Sequence, residues 1–127
     1  MISIVLVLCS IIILCMSGFP AYLFAIHSTK GQVVSSALML IGAGIGISGV
    51  ILSIQSGVIV YYNHEWFLPW GSFRICIDPL SCVFLLPVFI VPSVGTLYSL
   101  SYWSQRLHPE NGKRLGAFYG LLAGGMA

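Results

Sequence analysis

The chain has 127 residues, 58% hydrophobic and only 6% Asp, Glu, Lys or Arg, with a formal net charge of +2. A soluble domain carries about 25% charged residues to cover its surface, so this composition excludes an ordinary soluble fold. The small net charge does not point to nucleic acid, and the length suits one domain. Residues 1–127 are expected to form a single all-α integral membrane domain.

Residues 1–26 contain no charged side chain. At 1.5 Å per residue a helix needs roughly 20 apolar residues to cross about 30 Å of hydrocarbon, so this run suffices for a first span. Gly18 and Pro20 are expected to bend its far end, because Pro20 cannot donate to the Met16 carbonyl. A cleaved signal peptide is the rival reading, but no Lys or Arg precedes Lys30 and the apolar stretch is long for one. His27 to Gly31 then form a short polar turn.

The second span is expected over about 33–61. It carries Gly42, Gly46, Gly49 and Ser53 at steps of four, three and four, which places them on one helix face. Gly42 to Gly46 has the small-xxx-small spacing that lets two helices approach closely, so helix packing is the reading. Ser35, Ser36, Ser48, Gln55 and Ser56 bond to backbone or neighbouring helices, with a water-lined path as the weaker alternative.

Residues 62–78 form the loop between the second and third spans. His64 and Glu65 read as a solvated loop pair. From Gly71 to Ile77 polarity alternates after a Pro69-Trp70-Gly71 turn, which predicts a short strand, one arm of a hairpin. Asp78-Pro79-Leu80-Ser81 then reads as a helix start. The Asp carboxylate accepts orphan N–H groups two or three residues ahead, and Pro fits the first helical position. A direct role for Asp78 in ion passage is the lesser alternative.

The third span is expected over 79–103. Pro87 and Pro92 interrupt it and release the carbonyls of Val83 and Val88, predicting kinks. Such kinks line cavities in some transporters and have no function in many membrane helices. A fourth run, 115–127, would be about 20 Å of helix and does not cross a bilayer. It is expected to be an incomplete span, with the chain the beginning of a longer polypeptide.

Positive loops stay in the cytoplasm. Lys30, Arg106, Lys113 and Arg114 lie in the first and third loops, against Arg74 alone in the second. The expected topology is therefore multi-pass in the cell inner membrane, with the N-terminus and the 62–78 loop extracytoplasmic. Tyr61, Tyr62, Trp66 and Trp70 cluster at one interface and Tyr98, Tyr102 and Trp103 at the other, as aromatic belts do. Cys9, Cys15, Cys76 and Cys82 show no metal-ligand spacing, and neither disulfide nor metal site is assigned. Proton paths across membranes use buried Asp, Glu, Lys, Arg or His. None lies in the middle of these spans, so no catalytic or cofactor-binding residue is assigned either.

Several stretches carry a family resemblance: Phe73-Arg74-Ile75-Cys76-Ile77-Asp78-Pro79-Leu80-Ser81, Phe84-Leu85-Leu86-Pro87, Leu97-Tyr98-Ser99-Leu100-Ser101-Tyr102 and Phe118-Tyr119-Gly120-Leu121-Leu122. From about Trp66 to Ala127 the chain resembles the N-terminal part of the antiporter-like, proton-conducting membrane subunits. These occur in respiratory NADH:quinone oxidoreductase, membrane-bound hydrogenases and multisubunit sodium/proton antiporters. The wording is most similar to component B of hydrogenase-4 and formate hydrogenlyase complexes. The resemblance implies quinone or hydrogenase redox chemistry coupled to proton translocation, with redox centres in partner subunits and an outer hairpin before the third helix. It places the family's buried Glu and Lys beyond Ala127, so no relay residue is carried over and the segment is expected to be inactive alone. The alternative is a small non-catalytic membrane subunit that packs against partner helices through its Gly face.

Overall fold

The computed structural model describes residues 2–20, 30–57, 59–65, 72–102, 104 and 111–127. Among these the chain is mostly helical, with α1 at Ile2–Met16, α2 at Lys30–Ser56, α3 at Pro79–Tyr102 and α4 at Gly112–Met126. A hairpin of β1 (Val60–Glu65) and β2 (Ser72–Ile77) separates α2 from α3.

Helix α2 has 27 residues and α3 has 24, each with an 18-residue stretch of mean hydropathy 2.2, so both are long and apolar enough to cross a membrane. Helix α1 has only 15 residues, which at 1.5 Å each is about 22 Å. The expected first span over 1–26 is therefore shown only as far as Met16. There the backbone tightens into a turn: Ser17 N donates to Leu14 O at 3.2 Å and Phe19 N to Met16 O at 3.1 Å. The Ser17 hydroxyl also donates to Leu14 O, at 2.6 Å, so it competes for a carbonyl that would otherwise continue the helix. Residues 21–29, including His27, lie outside the described residues.

The end of α2 also differs from the expected boundary at residue 61. The helix stops at Ser56, and Gly57 follows at φ +61°, with its N–H donating to Ile54 O at 3.2 Å. A glycine in the left-handed region is a common helix terminator. Val60 and Tyr61, expected inside the span, instead open β1. The strands pair antiparallel in the register Val60↔Ile77, Tyr61↔Cys76, Tyr62↔Ile75 and Asn63↔Arg74, so the expected arm at Ser72–Ile77 has its partner in β1. His64 and Glu65 close that strand rather than sitting in a loop. The connection 66–71, with Trp66 and Trp70, is outside the described residues.

Helix α4 begins at Gly112, three residues before the expected start at Leu115, with Leu115 N donating to Asn111 O at 2.9 Å. Consecutive helices run antiparallel. Ile13 and Leu14 of α1 meet Gly42, while Ser3 and Leu6 meet Gly49. Gln32 of α2 reaches Ser99 of α3, and Tyr119 of α4 reaches Pro92. Helix α4 lies against α1 in the opposite direction, with Gly120 beside Ser17 and Gly124 beside Cys15. The interior between them is formed by Ile4, Val7, Leu14, Met39, Ala43, Val50, Phe89 and Ala123.

Candidate functional site

The helix start at Asp78 is built from its own neighbours. Ser81 N donates to Asp78 Oδ1 at 2.8 Å, the Ser81 hydroxyl donates to the same oxygen, and Cys82 N donates to Asp78 O at 3.1 Å. The Ser81 hydroxyl, and after it the Ser81 N–H, holds the Asp78 carboxyl below the usual carboxylate range. Pro79 occupies the first helical position, where its missing N–H costs nothing. Asp78 therefore sits at the junction of β2 and α3, engaged by the residues that begin the helix.

Gly42, Gly46, Gly49 and Ser53 are all buried in the interior of the bundle. They do not face a single neighbour. A Cβ on Gly42 would meet Ile13 Cγ2 at 3.0 Å, and one on Gly49 would meet Leu6 Cβ at 3.0 Å and Ser3 O at 3.1 Å, all on α1. A Cβ on Gly46 would instead meet the Phe89 ring of α3 at 2.6–2.8 Å. Phe89 is fully buried, so its ring fills the gap that the missing Gly46 side chain leaves.

Toward the other end of α2, polar side chains tie it to α3. Gln32 Nε2 donates to Ser99 O at 3.2 Å, and Thr96 Oγ1 donates to Ser36 Oγ at 3.2 Å. Ser48 and Ser56 satisfy their hydroxyls on carbonyls of their own helix, Ile45 O at 2.7 Å and Ser53 O at 2.8 Å. Ser35 Oγ is buried with no hydrogen-bond partner among the described residues.

Helix α3 continues through both prolines. Pro87 is exposed and Pro92 buried. Beside Pro92 the helix is bridged to α4 by the Tyr119 hydroxyl, which donates to Pro92 O at 3.3 Å. Gly95 makes room for that phenol, since a Cβ there would collide with the Tyr119 oxygen. The residue after Pro92, Ser93, turns its hydroxyl back onto its own helix and donates to Phe89 O at 2.6 Å.

Sequence reading missed a second close seam, between α1 and α4. A Cβ on Gly18 would collide with Ala117 Cα, and one on Gly124 with Cys15 Sγ. A Cβ on Gly120 would stand 3.0 Å from Gly18 N and from Leu14 O. The signal was available in Gly120-xxx-Gly124, the same spacing that marks α2. Its partner at Gly18 is remote in sequence, which hid it.

Outside these seams the helices present apolar side chains outward: Ile41, Ile51 and Ile54 on α2, and Leu80, Phe84, Val91 and Val94 on α3. Contiguous apolar surface of this kind marks contact with lipid or with another protein. All four cysteines are free thiols, and no cluster of three metal-ligating side chains occurs among the described residues. Comparison with protein-family models, curated proteins and solved structures found no match to this chain.

Proposed function

We propose that this chain is a membrane-embedded helical segment of a proton-conducting, antiporter-like subunit in a redox-driven respiratory or hydrogenase complex. The observation that carries the reading is an antiparallel hairpin that runs directly into a long apolar helix through Asp78-Pro79-Leu80-Ser81. That arrangement accords with the sequence resemblance, which rests most heavily on the same residues. The proposed orientation places the N-terminus and the hairpin outside the inner membrane and Lys113 and Arg114 in the cytoplasm, following the charge asymmetry.

In this reading the segment is scaffold. Residues 31–63 and 79–105 contain no Asp, Glu, Lys, Arg or His, so past Lys30 at its first residue α2, like α3, offers no carboxylate, ammonium or imidazole to relay a proton through hydrocarbon. Their glycine faces instead fix how the helices stand against each other. Partner subunits would carry the redox centres. The test is co-purification of the tagged native protein in a mild detergent, followed by native electrophoresis and identification of the companions. Migration with subunits that hold redox centres is expected. Migration as a lone species, or with membrane proteins that lack redox centres, would favour the small packing subunit instead.

A further inference from the structure

Two depressions flank the tyrosines of β1. One, of about 240 Å³, is lined by Tyr61, Tyr62, Asn63, Arg74 and Ile75. The other, of about 190 Å³, runs along α1 and is lined by Ile4, Val5, Leu8, Cys9, Ile12 and the same two tyrosines. Tyr61 and Tyr62 are thus a shared wall between a depression holding a cation and one that is almost wholly apolar. The strand register explains why. Asn63 pairs with Arg74 across the ladder, so both side chains stand on one face of the hairpin, and Arg74 is exposed there. Side chains of Ile4 to Ile12 extend the apolar depression over two helical turns, about 12 Å of α1.

We propose that this is a binding site for an anionic phospholipid, with Arg74 and Asn63 on the phosphate and an acyl chain along Val5, Leu8 and Ile12. The inference rests on the membrane reading given above and adds a specific ligand to it. Charge complementarity selects the occupant. A guanidinium offers a planar fork of N–H donors that matches a phosphate, and the amide of Asn63 adds donors beside it. Tyrosines suit the level between headgroup and hydrocarbon, with the ring in the apolar layer and the hydroxyl in the polar one. A wholly apolar ligand would leave Arg74 unused, and a soluble anion would leave the groove along α1 unused.

Native mass spectrometry of the detergent-purified protein, titrated separately with phosphatidylglycerol and phosphatidylethanolamine, reads this directly. The wild type is expected to retain phosphatidylglycerol at least several-fold better than phosphatidylethanolamine. Arg74→Gln should remove the preference, and Arg74→Lys should restore part of it. Val5→Trp, which fills the groove from an exposed position without touching Arg74, should lower retention of both lipids. Unchanged helicity by circular dichroism shows that each variant is folded. Equal retention of both lipids by the wild type, or an unchanged preference in Arg74→Gln, would mean surface lipid only and overturn the site. Alkaline extraction of cell membranes tests the underlying reading separately. A chain released by alkali is not membrane-embedded, whereas a chain that resists extraction yet shows no lipid preference refutes this site alone.

Discussion

Two glycine-lined seams hold this bundle together, and they differ in what the glycines face. On α2, Gly46 faces the ring of Phe89, a side chain, whereas Gly18 and Gly120 in the α1–α4 seam face backbone atoms of the opposing helix. A ring can turn or shift by a fraction of an ångström when something grows toward it. A backbone cannot shift without moving its helix. Small residues at both seams serve close approach, but room for adjustment is least where the neighbour is backbone, as at Gly18 and Gly120, and greatest at Gly46. That difference predicts which substitutions the fold survives.

The largest effect is expected from Gly120→Leu. Its Cβ would stand 2.9 Å from Ser17 Oγ and 3.0 Å from Gly18 N and from Leu14 O, the last two backbone atoms. Separation of α4 from α1 should follow, with a loss of about 3 kcal/mol or more, the upper range for overpacking a close-packed core. Thermal unfolding in detergent, followed by circular dichroism, measures it. Should Gly120→Leu prove milder than Gly46→Leu, the contrast between backbone and side-chain neighbours would be wrong.

Gly46→Leu is the intermediate case. It displaces Phe89 and costs about 1–3 kcal/mol, whereas Ile47→Leu, at a half-buried position off the glycine face, should be tolerated. The thermal midpoint in detergent should fall for the first variant only. Equal behaviour of the two variants would remove Gly46 from the account of how α2 meets α3.

Asp78 lies outside both seams and supplies a pH-dependent control. Its carboxyl is held below the usual range by Ser81, so the ionised form is favoured in the folded chain. Such a group stabilises the fold above its unfolded pKa, and that contribution is lost as pH falls through the lower folded value. Asp78→Asn should therefore be less stable than the wild type near neutral pH, and the gap should close on acidification below the ordinary carboxylate range. A gap that is constant with pH would show that the charge contributes nothing at this helix start.

The smallest effect is expected at Gly44, where a Cβ would meet nothing within 4 Å. Gly44→Ala should be neutral or stabilising by up to about 1 kcal/mol, because alanine loses less backbone freedom in a helix. A clear fall in thermal midpoint would reveal a close neighbour on the outward face of α2.

Much of this organisation was legible along the chain because its strongest signals are local. The uncharged runs around α2 and α3 are long, and Asp78-Pro79 marks a boundary by backbone chemistry alone. The face formed by Gly42, Gly46, Gly49 and Ser53 was also readable, since four small residues at helical spacing need only the helix period. What such a face touches is tertiary, and the division of its contacts between α1 and Phe89 of α3 could not be read from spacing. Strand β1 was hidden for another reason. Val58 to Tyr62 is apolar without alternation and reads as a continuation of α2 until Gly57 takes its left-handed conformation. The turn after Met16 falls where Gly18 and Pro20 pointed to a bend, but the Ser17 hydroxyl that bonds Leu14 O within it leaves no periodic trace.

The central claim is a membrane-embedded bundle with the hairpin on the outer side and the start of α4 on the inner. Single-cysteine variants Arg74→Cys and Lys113→Cys, in a background lacking Cys9, Cys15, Cys76 and Cys82, test it with a membrane-impermeant maleimide on intact cells. Arg74→Cys should be labelled directly, and Lys113→Cys only after permeabilisation. Labelling of Lys113→Cys from outside, with Arg74→Cys protected until the cells are opened, would contradict the orientation. Equal labelling of both in the soluble fraction would contradict the membrane reading itself.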